Sequence, residues 1–219
     1  MAGSESERSP RPQNHERPVR ETILRRLNRW QAEDQREDLA DLYVESSRAE
    51  AGEEFRSRED FLGVLVDAAR RPGFDMLVAE TATLTGFVFG FPVDRDGTWW
   101  QGFAGGLPQD VEQLTASGHV FAIAALAVHP YARQHGVAGR LQERLLADNQ
   151  ASLGAAQVPR DDRALRAAFD SWGWREIGQV HQQGGSVVLR ALVLAVGERT
   201  ASRPGGLTHN PHTQRPEAG

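Results

Sequence analysis

The sequence predicts an α+β fold: a mixed, mostly antiparallel central sheet of about seven strands, interleaved with amphipathic helices. Three observations carry this. Seven short apolar or alternating runs stand between turn signals. Runs 74–81 and 84–93, and runs 174–182 and 186–196, are joined by short turns, which makes each pair an antiparallel hairpin. One stretch, FAIAALAVHPYARQHGVAGRLQERLL at 121–146, reads strand, tight turn, helix, and the rest of the chain is arranged about it.

Composition sets the bounds. The 219 residues suffice for one domain with a real core plus tails. The polar, Pro- and Arg-rich 1–20 and the similar 198–219 are expected to be disordered, leaving a domain over 21–197. There is no cysteine, which excludes disulfides, thiolate catalysis and cysteine-bound zinc. A net charge of −5 with interspersed signs argues against nucleic acid as the main partner. No apolar run reaches membrane-span length, and the N-terminus lacks the apolar core of a secretory signal, so no membrane partner and a cytoplasmic location are expected. His209 and His212 form an H-x-x-H pair, but a polar tail fixes no ligand geometry, and no metal is expected.

In chain order, 21–30 alternates and reads as a first strand. Asp34 is placed to cap a helix with Leu39, Leu42, Tyr43 and Ser46 on one face. Ser57 and Asp60 resemble a capping box opening a second helix with Phe61, Leu65, Ala68 and Ala69 inward, ended by Pro72-Gly73. After the first hairpin, where Gly86 and Gly90 suggest either a bulge or close packing, or else room for a ligand, comes 94–118. It is long, glycine-rich and unassigned. Its Trp99, Trp100 and Phe103 either wall an acceptor pocket or anchor the loop to the core, and both readings stand. Residues 151–158 read as a strand. Asp162 to Trp172 reads as a helix with Leu165, Ala168, Phe169 and Trp172 apolar and Gly173 closing it.

The central stretch carries the chemistry. Its apolar strand stops at His129-Pro130, and its helix begins near Gly136. The first turn of a helix has four N–H groups without partners and the positive end of the dipole. Gly136 and Ala138 carry almost no side chain, so a phosphate or pyrophosphate could approach those donors. No G-x-x-x-x-G-K-S/T occurs, the chain has no lysine, and Gly136–Gly139 lacks the G-x-G-x-x-G spacing.

What fits is R-x-x-G-x-A from Arg133 to Ala138, after Val128-His129-Pro130. This resembles the central motif of the GNAT superfamily of N-acetyltransferases, R/Q-x-x-G-x-G/A after a strand ending in V-x-P. The last helix, ending in Trp172-Gly173-Trp174, is similar to the family's second pattern. The resemblance implies a three-layer α/β arrangement with helices on both sheet faces and a splayed cofactor slot. It implies acetyl-CoA as co-substrate and no metal. Backbone groups of Leu126, Ala127 and Val128 would pair with the pantetheine arm. Backbone N–H groups of Gln134, His135, Gly136, Val137, Ala138 and Gly139, with Arg133 nearby, would hold the pyrophosphate. His129 and His135 could touch phosphate as cations. The implied reaction is acetyl transfer to a primary amine (small molecule, peptide or protein terminus) by direct attack. A homodimer is compatible with the family, though no interface signature is present.

The sequence departs from the family where protons move. The usual tyrosine of the last helix falls on Phe169, the usual asparagine on Asp162, and the usual strand glutamate on Ala124, Ala125 or Leu126. No catalytic residue is therefore assigned; His119, Glu80, Asp96 and His181 are the available bases. The alternative function is a catalytically weak or inactive acyl-CoA-binding regulator or interaction module.

Overall fold

The computed structural model describes residues 21–47, 54–182 and 187–197, without the side chains of 54–56. The expected tails at 1–20 and 198–219, the His209/His212 pair and the Gly184-Gly185 turn lie outside the described residues. Seven strands build one sheet: β1 (Ile23–Leu27), β2 (Asp75–Glu80), β3 (Leu84–Pro92), β4 (Val120–Val128), β5 (Leu153–Pro159), β6 (Arg175–His181) and β7 (Val188–Ala195). Their order is β1-β2-β3-β4-β5-β7-β6. Every neighbouring pair is antiparallel except β4 with β5. The nearly all-apolar β7 lies inside the sheet, between β5 and β6, where both of its faces are covered.

Helices cover both faces. α2 (Arg36–Ser46) and α3 (Glu54–Ala69) press Leu39, Ala40, Leu42, Phe61 and Leu65 onto Val78, Phe87, Phe89 and Ala122. α5 (Val137–Asp148) and α6 (Arg163–Ser171) press Val137, Leu141, Leu145, Leu146 and Phe169 onto Leu77, Val88, Phe121 and Leu192. The strand expected over 21–30 ends early. Asn28 accepts from the Gln31 N–H at 2.9 Å and Gln31 accepts from the Asn28 N–H at 3.0 Å, a reciprocal cap. That cap opens the short helix α1 (Arg29–Asp34) and puts Trp30 on its surface. Asp34 ends this helix instead of capping α2, whose N-cap is Gln35. Ser57 is likewise no cap, because α3 begins three residues before it; its predicted apolar face is buried as expected.

The unassigned 94–118 contains a 3₁₀ turn, Thr98–Trp100, and a helix, α4 (Gln109–Ser117). Val111 and Thr115 are its buried face, and Gly118 closes it with φ +77°. The segment between lies along the outer edge of β6: Ala104 N–H donates to Gln179 O at 2.8 Å, and His181 N–H to Gly102 O at 2.9 Å. An exposed sheet edge is thereby covered on that side.

The bulge expected near the β3 glycines is present, at the step from Phe89 to Gly90. A Cβ on Gly90 would lie 1.9 Å from the Ala122 carbonyl oxygen, so β3 and β4 approach too closely for any side chain there. Gly63, by contrast, sits at an exposed helical position where an added methyl would meet nothing within 4 Å. Gly90→Ala should therefore destabilise by about 2 kcal/mol, roughly 4–8 °C in Tm. Gly63→Ala should stabilise by about 0.5–1 kcal/mol. Thermal unfolding of the two variants checks both the magnitudes and the opposite signs.

Candidate functional site

β4 and β5 begin as partners and then separate. Their parallel ladder runs from Val120↔Leu153 to Ile123↔Ala156 and stops. β4 continues along β3, pairing Ala125, Leu126, Ala127 and Val128 with Phe89, Val88, Phe87 and Gly86. β5 continues along β7, pairing Gln157, Val158 and Pro159 with Ala191, Arg190 and Leu189. The sheet therefore splits at its middle. Ala124 is the extra residue of the bulge, opposite no β3 residue. As a result Ala124 and Ala125 both pack on the α2/α3 side, while Leu126 and Val128 face α5. Along the split, the β5-facing backbone groups of β4 have no ladder partner.

The turn follows directly. His129 N–H donates to Thr85 O at 2.9 Å, and Pro130–His135 forms a 3₁₀ turn. Gly136 takes φ +65°, a conformation open to glycine, and α5 starts at Val137. The Arg140 N–H donates to Gly136 O at 3.1 Å, so the N–H groups of Val137, Ala138 and Gly139 precede the helical ladder. Val137 is buried and anchors the turn; Gln134, His135 and Gly136 are exposed. A Cβ on Gly136 would meet nothing within 4 Å, and one on Gly139 would lie 3.6 Å from the Trp172 indole nitrogen. The predicted residues 126–128 and 133–139 are thus contiguous: an unpaired strand edge leading to a cradle of unpaired N–H groups with open space before it. That is a fit for a thin amide-bearing chain ending in an anion.

Arg133 does not reach over α5; its guanidinium donates to the Ser46 carbonyl at the end of α2. His129 Nε2 lies 3.1 Å from Glu45 on the same turn of α2. These two contacts fasten the turn to α2.

Trp99, Trp100 and Phe103 sit on the α2/α3 side of the sheet. Trp100 is buried and its indole donates to Thr115 Oγ1 at 3.0 Å. Phe103 meets Trp100 edge-on at 6.5 Å and fills the space that a Cβ on Gly178 would need. Trp99 meets Phe91 edge-on at 5.7 Å, and its carbonyl accepts from Gln157 Nε2 at 2.8 Å. Gln157 is the first β5 residue beyond the last β4 pair, so Trp99 is pinned at the apex of the split. Two buried side-chain nitrogens among the described residues have no hydrogen-bond partner: Trp99 Nε1 and His129 Nδ1. Leaving a buried donor unpaired costs about 1–3 kcal/mol.

The remaining candidates are dispersed. Phe169 is 3% exposed and packs against Trp172 and Trp174 at 5.4 and 5.1 Å, with no polar group to offer. Asp162 caps α6, accepting from Leu165 N–H at 2.8 Å. His119 Nδ1 meets Ser117 Oγ at 2.9 Å on the surface, and exposed His181 ends β6. Asp96 accepts from the Thr98 hydroxyl and N–H, which hold its proton affinity below the ordinary range. Glu80 takes two hydrogen bonds from Arg25, at 2.7 and 3.1 Å, and these lower its pKa more than burial raises it. Both carboxylates are poor bases. Burial, then the charge of Asp60, raises the Tyr43 phenol above its ordinary value. Gln157 and Glu45 join the site without having been evident from the sequence. The one signal for Gln157 is a polar residue inside an otherwise apolar strand; Glu45 gives none. Among the described residues no group of three or more His, Cys, Asp or Glu is arranged to hold a metal, and no helix is long and apolar enough to cross a membrane.

No family model and no curated protein matches the chain in sequence. Solved structures do match it in shape. Arabidopsis thaliana NAA60 in complex with acetyl-CoA superposes with a TM-score of 0.53 at 15% identity, over 80% of this chain and 99% of that one. The PaiA N-acetyltransferase of Thermoplasma acidophilum in complex with coenzyme A gives 0.50 at 14%, over 80% and 99%. The ribosomal-protein-S18-alanine N-acetyltransferase of Escherichia coli gives 0.50 at 11%, over 80% and 94%. At these identities the likeness establishes the fold: the chain has the GNAT fold, with its mostly antiparallel seven-stranded sheet open at the middle.

The Arg25–Glu80 pair makes a pH prediction. Glu80 has a depressed folded pKa, so its stabilisation is present above the ordinary glutamate value, about 4.3, and is lost as pH falls through the folded value. Both side chains are about a third exposed, so solvent screening limits the pair to about 1 kcal/mol or less. Glu80→Gln should lower Tm slightly at pH 7 and flatten its decline below about pH 4.5. Tm measured against pH for both proteins checks this; parallel acid limbs would contradict it.

Proposed function

We propose that the chain is an acetyl-CoA-dependent N-acetyltransferase acting on a primary amine. The observation that carries this reading is the divergence of β4 from β5 after Ile123 and Ala156, directly ahead of the glycine turn. An unpaired strand edge supplies amide groups at the spacing of a pantetheine arm, and the start of α5 supplies donors for a pyrophosphate. Both contributions come from backbone, which is why the reading survives a sequence without lysine or cysteine.

Acetyl-CoA supplies an activated acyl group: the amine nitrogen forms the new C–N bond, the C–S bond breaks, and the amine proton must leave. The chain's part is to hold and orient. The unpaired N–H groups of β4 near the bulge are placed to stabilise negative charge developing beside that strand. The Ala124-Ala125 bulge leaves room for an amine to approach from the α2/α3 side, opposite α5 and α6. Phe169, in the buried face of the last helix, has no proton to donate.

That same Phe169 favours a second reading, acyl-CoA binding with slow or no transfer. Titration calorimetry with acetyl-CoA and CoA tests the slot, and radiolabelled acetyl-CoA with an amine panel tests transfer. Micromolar binding with turnover supports the enzyme; binding without turnover on any amine supports the second reading; no binding at millimolar ligand removes both. Because the cradle is backbone, Arg133→Ala should weaken CoA only about two- to fivefold, chiefly by loosening the tie to Ser46. Gly136→Trp should abolish measurable binding in a protein that remains folded by circular dichroism. Equal losses in the two variants would contradict the backbone account.

A further inference from the structure

We infer that Gln157 is the residue that holds the acceptor amine, its side-chain oxygen accepting an N–H from the nitrogen that attacks. This deepens the acyltransferase reading and rests on it. Exposure marks where the sheet is open. Val120–Ile123 and Leu153–Ala156, the paired parts of β4 and β5, are buried. Ala124, Ala125 and Leu126, directly beyond, are half-buried, and β4 is buried again at Ala127 and Val128. β3 lies along one side of these three residues and both sheet faces are packed, so solvent reaches them from the side that β5 has left. On the β5 wall the half-buried residue is Gln157, between buried Ala156 and Val158. One further step of the ladder would have set it opposite Ala124. Strand alternation puts Gln157 on the α2/α3 side with Ala155, the side that Ala124 and Ala125 also share. It therefore borders the opening where the proposed amine approaches.

The amide of Gln157 has one end spent and one end free. Nε2 donates to the Trp99 carbonyl at 2.8 Å, and only the NH2 end can face a carbonyl oxygen, so the amide's orientation is fixed. Oε1 takes no hydrogen bond from the described residues. Among those residues the enclosed side-chain atoms without a partner are Trp99 Nε1 and His129 Nδ1; Gln157 Oε1 is open to solvent. The opening is thus bordered by an anchored hydrogen-bond acceptor and, on the same side of the facing strand, by alanine methyls. An amine nitrogen can give this oxygen an N–H and keep its lone pair free for the thioester carbonyl, which is an orientation effect. A neutral oxygen suits the task better than a carboxylate would. A carboxylate beside the nitrogen favours the ammonium form, which has no lone pair to attack with. The amide binds an N–H without that charge and is too weak a base to take the proton, so Gln157 orients the amine and does not deprotonate it.

The test uses the full chain, ¹⁵N-labelled and saturated with CoA, with CoA binding first established by calorimetry. The side-chain amide signals of Gln157 are those missing from the spectrum of Gln157→Met. Alaninamide is then added, and separately its N,N,N-trimethyl derivative, which has no N–H on that nitrogen. The expected result is a shift of the Gln157 amide signals with alaninamide only. With acetyl-CoA, Gln157→Met should raise KM for alaninamide about tenfold, as loss of one hydrogen bond predicts, and leave KM for acetyl-CoA unchanged. Gln157→Glu puts a charge beside the bound amine, so the rising limb of kcat against pH should move about one pH unit higher. A residue that served only to hold the Trp99 carbonyl would move neither the alaninamide KM by itself nor that limb. An alaninamide KM unchanged in Gln157→Met, or raised equally with that for acetyl-CoA, overturns the inference, as does an unmoved limb in Gln157→Glu or a like shift from both ligands. CoA binding with unmoved Gln157 signals, or with no transfer to alaninamide, overturns this inference alone. Absence of CoA binding by the unsubstituted chain overturns the acyltransferase reading together with it.

Discussion

Backbone N–H and C=O groups inside a sheet must find partners, and the middle of this sheet contains a stretch where they do not. Up to Ile123, β4 is bonded on both sides; beyond it, on the β3 side alone. Nothing in the local sequence of β4 forbids continued pairing, since Leu126 to Val128 are ordinary strand residues. The separation is imposed from both flanks. The bulge at Ala124 turns β4, and β5 is held to β7 as far as Pro159. Gln157, at the fork, gives its side-chain amide to the Trp99 carbonyl. The proposed cofactor slot lies along that unpaired edge.

Such an edge is useful only if its two walls do not close on each other, and the polar contacts away from it serve that end. On the β4 wall, the Glu45–His129 and Arg133–Ser46 contacts tie the turn to the last turn of α2. On the β5 wall, Glu176 is shared by Arg166 of α6 and Arg190 of β7, and Arg166 also holds Asp170. Single surface ion pairs contribute little, but a carboxylate shared by two partly buried arginines fixes direction as well as distance. Gln142 and Trp174, both buried and mutually hydrogen-bonded, pin α5 to the start of β6. The backbone donors of β4 and α5 are thereby held in place before any ligand arrives, which is the condition for orientation to lower a barrier.

The parts legible in sequence are those dictated locally. An apolar run cut by His129-Pro130, then a glycine where φ must be positive, specifies strand, turn and helix from neighbours alone, and the seven strands and the helices α2, α3, α5 and α6 follow the same logic. α4 is hidden because its amphipathic face is only Val111, Leu114 and Thr115, set behind the glycines of 102–106. Asp34 and Ser57 mislead for a different reason. A cap is defined by where the helix starts, and an Asn28–Gln31 box upstream and a helix beginning at Glu54 have already settled that. The split is not legible in the residues, because it results from which partner each strand keeps, a non-local choice; only the motif's family resemblance points to it. Gln157 and Glu45 are invisible for the same reason: their roles exist only across the fork and across the turn.

In the proposed reaction, Phe169 at the place of a proton donor bears on which amines would react. General acid–base assistance is worth about 10²–10⁴-fold, while orientation of reactants can supply effective molarities of about 10⁵ M or more, so in the proposed reaction Phe169 in place of a proton donor would slow transfer without forbidding it. With no general base assigned either, what would become limiting is the fraction of acceptor that arrives neutral. An amine with a side-chain lysine's pKa of about 10.4 is roughly 0.1% neutral at pH 7.5, whereas an α-amino group of pKa about 7.8 is roughly one-third neutral, a difference of a few hundredfold. An adjacent carbonyl is what lowers the pKa of such an amine, so the proposed reaction would favour an α-amino group over a side-chain amine.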